Sequence, residues 1–557
     1  MTTPASASVN RRTFLNLVGL GVAAAGTGGL LAGCGEKATQ GGATQNLDKL
    51  AGLVPEHRPL ALNIKPDVLS TRPVPDGYTT FPSALTDAIT DQPGAGGQPI
   101  RAMTPVWGPA PPSGAKNAYL VAVNAELGTP VEFSVQDGMT YADKLGAVLG
   151  ARDVPDLLCV PDWEVEKLPR FSDAVNALFE DLTPYLQGGN VAGYPMLATL
   201  PTGAWRNACW NDRLMAIPNP TDGPFPLALF YRKDLLDKLS LTYPRTIDEL
   251  FEVGKQVTDP GKGVWAFDDI FQMVQMFHKA PGSKEGWRLR ADGTPEHKYE
   301  TPEFRQAVEF MIKVYRAGMV HPDLMASKGA DAKQLLQGGK ILFKQDGLGM
   351  WQPMQAEQQQ VTKGFSVQPV PVFSATGGDP LVWGDDDPIS YTFVKKGLGK
   401  ARVEEILRVI NWCSAPFGTE EFQLREFGAE GTHHRRAGGG PVKTELGFSE
   451  IQNQYFFISG RTPVLQPTPQ TPTFVKEALA YSNAMVRFME KDPWDGLKFE
   501  MPARFKAQVV PITDKITDIL RGRRPIADLD VVVKEWRSSG GDEARELLGT
   551  ALSDAGR

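Results

Sequence analysis

The chain has 557 residues, with 58 basic and 65 acidic side chains and a net charge of −7. An acidic balance disfavours phosphate backbones and excludes a nucleic-acid-binding role. The length exceeds what one hydrophobic core usually organises, so two lobes are expected.

The first element in chain order is a targeting segment. Asn10-Arg11-Arg12-Thr13-Phe14-Leu15 opens a short apolar stretch running to Leu31 and resembles a twin-arginine export signal. Leu31-Ala32-Gly33-Cys34 then resembles a lipobox, in which a peptidase cuts before the cysteine and a diacylglycerol joins its sulfur. The stretch is short and glycine-rich, so it does not read as a membrane span. Residues 1–33 hold two arginines and no acid, so the mature chain carries 56 basic and 65 acidic side chains, a net −9. The mature protein is expected at the extracytoplasmic face of the cell membrane, held through the lipid on Cys34. Cys159, Cys209 and Cys413 remain; they allow at most one disulfide, and their apolar or aromatic neighbours read as buried sites.

Residues 35–98 are rich in Gly, Pro, Thr and Gln and read as a flexible tether followed by an irregular strap. An α/β pattern begins at Pro99. Val131-Glu132-Phe133-Ser134-Val135 alternates as a strand, Tyr141 to Leu149 fits a helix, and Asp156 to Pro161 reads as a buried strand. Strand, helix, strand at this spacing implies a right-handed crossover and parallel pairing. Thr246 to Val257 reads as a helix with Thr246 and Glu249 as a capping box, and Val264 to Phe267 as a strand. Phe304 to Ala317 and Arg402 to Cys413 are amphipathic helices. Near the C-terminus Phe505, Val509, Ile512, Ile516 and Ile519 share a stripe that Pro511 interrupts.

Five stretches in order then resemble one family. They are Trp107-Gly108-Pro109 with Asn117-Ala118-Tyr119 and Val123-Asn124; Val154-Pro155-Asp156-Leu157-Leu158; Leu229 to Asp234 with Leu239 and Pro244 to Leu250; Gly338-Gly339-Lys340-Ile341 with Asp346-Gly347 and Trp351; and Lys534 to Asp542. Together they resemble the extracellular solute-binding proteins of ABC carbohydrate importers, in the branch of larger members related to the LplA lipoproteins. The resemblance implies an α/β, two-lobed periplasmic-binding-protein-like fold of type II. Each lobe would be a mainly parallel sheet flanked by helices, joined by a hinge, with ligand in a cleft that closes by bending. Lobe one would take residues 99–220 and 372–430, lobe two 221–371 and 431–557. The implied partners are an oligosaccharide, the permease subunits of the importer and, through the lipid anchor, the membrane. A monomer without cofactor is expected.

A pyranose offers an apolar C–H face and a rim of hydroxyls, so it needs a flat aromatic and polar side chains. Trp107, Trp163 and Trp383 sit where strands should end in loops, and Asp385, Asp386 and Asp387 follow as a turn or a hydroxyl-binding rim. Trp351 is expected on a loop beyond the Asp346-Gly347 turn, where the family supplies a stacking aromatic. His433 lies where the family carries a Gly-x-His-aromatic element, which implies a cleft or hinge role. Trp265 and Trp412, inside apolar runs, read as core.

There is no G-x-S-x-G, H-E-x-x-H or phosphate-loop pattern, so no catalytic residue is assigned. Thr258 to Gly263 offers one carboxylate where several larger relatives insert a calcium loop, so no metal is expected there. Two other readings stay open at this point: a surface-anchored glycoside hydrolase or lyase, and a glycan-binding lipoprotein without a transport role.

Overall fold

The computed structural model describes residues 45–46 and 49–557, except 63, 95–96, 166, 222, 283–285, 326–330 and 385–387. The export signal and Cys34 lie outside the described residues. Among the described residues no helix is long and apolar enough to cross a membrane.

The chain opens its first core with β1 (Ile100–Val106), α1 (Ala118–Leu127), β2 (Val131–Asp137), α2 (Tyr141–Ala151), β3 (Leu157–Pro161) and β4 (Ala216–Asn219). The second core follows with β5 (Ala228–Arg232), α3 (Ile247–Val257), β6 (Trp265–Phe267), α4 (Pro302–Arg316), β7 (Ile341–Asp346), α5 (Trp351–Val361) and β8 (Val367–Val370). The chain returns to the first core with β9 (Ser390–Val394) and α6 (Lys400–Cys413), then ends on the second with α7 (Phe474–Met485) and α8 (Ala503–Leu520). The expected strands and helices are present with ends shifted by a few residues.

The first sheet has the order β2-β1-β3-β9-β4. β1 runs parallel to β2 and β3, and β9 runs antiparallel to β3 and β4. All five residues of β3 and of β9 are buried; β3 is accordingly a continuous apolar run, whereas β9 also buries the hydroxyls of Ser390 and Thr392. The second sheet has the order β8-β5-β7-β6, with β7 parallel to β6 and β5 antiparallel to both β7 and β8.

Local chemistry sets the helix ends. Asn117 accepts the Leu120 amide at 3.0 Å to start α1, and Gly128 closes it in the left-handed region at φ 67°. The capping box expected at α3 is redistributed. Thr246 Oγ1 accepts the Glu249 amide at 3.1 Å, but the Glu249 carboxylate reaches one residue further back, to the Arg245 amide at 2.7 Å. α8 runs through Pro511 without a break.

Two separate apolar cores confirm two lobes, and they move the expected boundaries. Val372, Phe373, Val382 and Trp383 pack in the core of lobe two, so the return to lobe one comes only near β9. Ile451, Tyr455 and Ile458 pack in the core of lobe one, so that lobe extends well past residue 430. The reason is a stretch of buried partners: the Tyr455 hydroxyl bonds Asn124 at 2.9 Å, and Thr392 donates to the Phe457 carbonyl at 3.0 Å. Beyond the strap, the described chain therefore passes between lobes after Asn219, after Trp383 and after Ile458.

The strap touches both lobes in turn. The Arg58 amide donates to Ala198 of lobe one at 2.7 Å, and the Thr71 amide donates to Asn483 of lobe two at 3.1 Å. The Ala88 and Ile89 amides then return to Glu421 at 3.0 and 2.6 Å. Cys159 and Cys413 carry free, buried thiols; burial raises both, Cys413 to about 12. Cys209 is also buried and donates to the Trp205 carbonyl at 3.7 Å.

Candidate functional site

Two of the crossings leave from matching sheet edges and so locate the cleft. In lobe one the last residue of β4, Asn219, pairs with the first of β9, Ser390, which also pairs with the last of β3, Pro161. In lobe two the first residue of β5, Ala228, pairs with the last of β7, Asp346, and Leu229 pairs with the last of β8, Val370. The chain passes from one of these ends to the other after Asn219 and returns after Trp383, so the two sets of strand ends face each other. Ligands of open α/β sheets bind outside such strand ends.

The lobe-one edge is aromatic. Trp107 follows β1 and is 39% exposed; Trp163 follows β3 and is 43% exposed. Their ring centroids stand 5.8 Å apart at 53°. Trp107 also meets Phe457 at 5.8 Å, and Phe457 meets Phe456 at 5.1 Å. Gly138, just past β2, makes room for the Trp107 indole: a Cβ there would come within 2.3 Å of the ring. Next to it Met139 is 82% exposed. Asn219, wholly buried, donates to the Phe456 carbonyl at 3.2 Å while its own Oδ1 has no partner among the described residues.

The lobe-two edge is polar. Asp268 follows β6 and accepts the Gln345 amide at 3.2 Å. Lys344 Nζ lies 2.7 Å from Asp346 and 4.0 Å from Asp268. The Gln345 side chain accepts the Met273 amide at 3.2 Å and donates to Gln272 at 3.2 Å. Burial pushes the Asp268 carboxyl well above the usual carboxylate range, against the pull of Lys344. Burial also works against the Lys344 ammonium, but Asp346 and Asp268 together hold it above its ordinary value.

The residues singled out from sequence separate into three groups. Trp107 and Trp163 come together at the exposed edge. Asp385, Asp386 and Asp387 lie outside the described residues. Trp351, Trp383 and His433 are interior. Trp351 does not sit on a loop: it is the first residue of α5, 2% exposed, packed against Phe230, Phe474 and Tyr481. It forms part of the wall of a cavity of about 290 Å³ within lobe two, shared with Tyr231, Tyr243 and Glu477. Trp383 donates its indole N–H to the Ala280 carbonyl at 2.9 Å, over Gly282. His433 is 1% exposed. Its Nδ1 accepts the Ala429 amide at 3.1 Å, so the proton sits on Nε2 and is donated to Glu450 at 3.1 Å. Glu450 also accepts the Tyr119 amide, which ties α1 to this part of lobe one. Trp265, expected in the core, is half-buried on the outer strand β6, its ring 4.5 Å from that of His321. Trp412 is buried as expected.

Sequence reading missed Phe456, Phe457, Gln345 and Asp268. The run Tyr455-Phe456-Phe457 and the pair Asp268-Asp269 directly after a strand were the available signals. Both lacked a reason to be placed at a sheet edge until the pairing was known. Asp259, the one carboxylate of the short segment before β6, is taken up locally, bonding the Lys262 ammonium at 2.7 Å. Among the described residues no group of three or more His, Cys, Asp or Glu side chains is arranged to hold a metal ion.

The sequence profile of the bacterial extracellular solute-binding proteins matches residues 110–395, about half of the chain. This protein belongs to that family. It is 22% identical over 438 residues to the polygalacturonan/rhamnogalacturonan-binding protein YtcQ of Bacillus subtilis, covering 74% of this chain and 83% of YtcQ. It is 24% identical over 254 residues to the lipoprotein LipO of the same organism, covering 43% and 48%. Among solved structures it superposes on the alginate-binding protein AlgQ2 without calcium ion at TM-score 0.60 and 15% identity, over 84% of this chain and all of AlgQ2. It superposes on the N-glycan transport solute-binding protein NgtS of Streptococcus pneumoniae, in complex with Man5GlcNAc, at TM-score 0.56 and 14% identity, over 82% and 98%. Likeness at this identity establishes the two-lobed fold.

Proposed function

We propose that the protein captures an oligosaccharide in the interlobe cleft and hands it, chemically unchanged, to the permease subunits of an ABC importer. The mature chain works at the outer face of the cell membrane, as a monomer held through a lipid on Cys34. The observation that carries this reading is the exposed Trp107–Trp163 pair at adjacent strand ends of lobe one. Indole faces left in water at a sheet edge invite the apolar face of a sugar ring, and the amides and carboxylates across the cleft suit its hydroxyls. Family membership supports solute capture, and relatives named for polygalacturonan, alginate and N-glycan support a saccharide. The lipoprotein relative supports the anchor.

A thermal-shift screen across a glycan panel tests the reading. A true ligand at 100 times its Kd should add about 2.7 kcal/mol of stability. The bound saccharide should be recovered intact; turnover beyond one equivalent would assign an enzyme instead, and a silent screen across neutral and acidic glycans would remove saccharide capture.

A further inference from the structure

The strap changes lobes within a few residues, and it leaves little slack where it does so. Ile64 belongs to a small aromatic cluster with Phe417, Phe422 and Phe427, whereas Val68 packs against the lobe-two core. The cluster stands on lobe one, since Leu424 of the same helix, Glu420–Phe427, packs against the lobe-one core. Val74 is buried in the lobe-two core. Tyr78 and Phe81 are back in the cluster, their rings 4.8 and 5.3 Å from that of Phe417. The later passage between lobes repeats the switch: Val464 lies in the cluster and Leu465 against the lobe-two core. Three ribbons therefore pass from lobe one to lobe two side by side.

The ribbons are bonded to one another. Val68 and Gly77 exchange amide bonds at 3.1 and 2.8 Å, and the Tyr78 amide donates to the Leu465 carbonyl at 2.9 Å. The Asp67 carboxylate accepts the Thr79 amide at 2.9 Å. The turn from Val68 to Gly77 is seated on α7. The Thr71 amide donates to Asn483 at 3.1 Å, and a Cβ on Gly77 would come within 2.5 Å of Val475 and 2.9 Å of Leu479.

We propose that residues 64–81 tie the lobes at a fixed pivot and so set how far the cleft opens. Four residue steps separate Ile64 from Val68, a reach of about 14 Å even when fully extended, and Pro66 stiffens them. On the return leg Tyr78 follows Gly77 directly. The lobes cannot part here without pulling the Val74 turn out of lobe two or the aromatic rings off lobe one. Motion between them is left to rotation about this point. The tie is independent of what the cleft binds, so it goes beyond the saccharide reading.

The test is pulsed electron–electron double resonance on the unliganded, full mature chain. Spin labels are placed at Val121→Cys on lobe one and, in turn, at Val361→Cys or Val531→Cys on lobe two. All three side chains are exposed, whereas Cys159, Cys209 and Cys413 are buried. Gly77→Val drives a side chain into α7 and should unseat the turn, widening the distance distribution about twofold for at least one pair. Val74→Ala combined with Asn483→Ala loosens the same seat without a clash. It should widen the distribution to a smaller degree, and it decides the matter if Gly77→Val does not fold. Leu69→Ala, on the same turn but 75% exposed, should keep the parental width. Distributions unchanged in both seat variants, or widened equally by Leu69→Ala, overturn the proposal. No glycan enters the measurement, so that failure leaves the saccharide reading standing.

Discussion

The indole N–H of Trp351 donates to the carbonyl of Val367 at 2.9 Å, and this bond closes the outer edge of the lobe-two sheet. β8 is the edge strand, and Val367 turns both of its free backbone groups outward. Gln355, one helical turn after Trp351, accepts the Val367 amide at 2.9 Å. The next outward positions are Pro369 and Pro371, which have no amide to offer. Helix α5 thus caps an edge that would otherwise template pairing with another chain.

Trp351→Ala should therefore be a stability variant. It opens a large void among Phe230, Phe474 and Tyr481 and strands the Val367 carbonyl. A loss of about 3–5 kcal/mol is expected in denaturant unfolding of the unliganded protein. An unchanged midpoint would show that α5 does not depend on the indole.

Trp107→Ala should do the reverse. The indole is well exposed, so apo stability should shift by about 1 kcal/mol or less. Affinity for the bound saccharide should fall by about 2 kcal/mol, as for a central aromatic anchor. Titration calorimetry separates the two effects; full affinity in the variant would move the sugar platform elsewhere in the cleft.

Asp268 should leave a signature in the pH dependence of folding. A carboxyl held above its unfolded pKa of about 3.9 keeps its proton more tightly in the folded chain. Its stabilising contribution is complete below that value and is lost as pH rises through the window above about 4. Asp268→Asn keeps an acceptor for the Gln345 amide and removes the charge. The variant should gain on the parent by up to about 1.4 kcal/mol per pH unit inside that window. Parallel stability curves between pH 4 and 7 would contradict the assignment.

Cys34→Ala tests the anchor. Membrane fractionation and labelling with a radioactive fatty acid should show the variant released or left unprocessed. Retention with undiminished labelling would place the lipid on another residue.

Much of the architecture was written locally. β3 is buried on both faces, so its apolar run was legible as a strand, and the cap at Thr246 and the 3.6-residue stripes of α4 and α6 marked helices. The family stretches in order fixed two lobes. What depended on distant partners was not legible. Residues 451–458 belong to lobe one because Tyr455 and Phe457 meet Asn124 and Thr392, more than 60 residues away in sequence.

Composition could nominate aromatics for sugar binding, since a tryptophan of any role has the same side chain. Only tertiary structure could sort them. Trp107 and Trp163 end parallel strands next to each other and face water, whereas Trp351 and Trp383 each spend the indole N–H on a carbonyl of their own lobe. A buried N–H must find a partner and an exposed ring face need not. Which condition holds is set by the sheet edge on which each residue falls, and that edge is fixed by pairing between segments far apart in the chain.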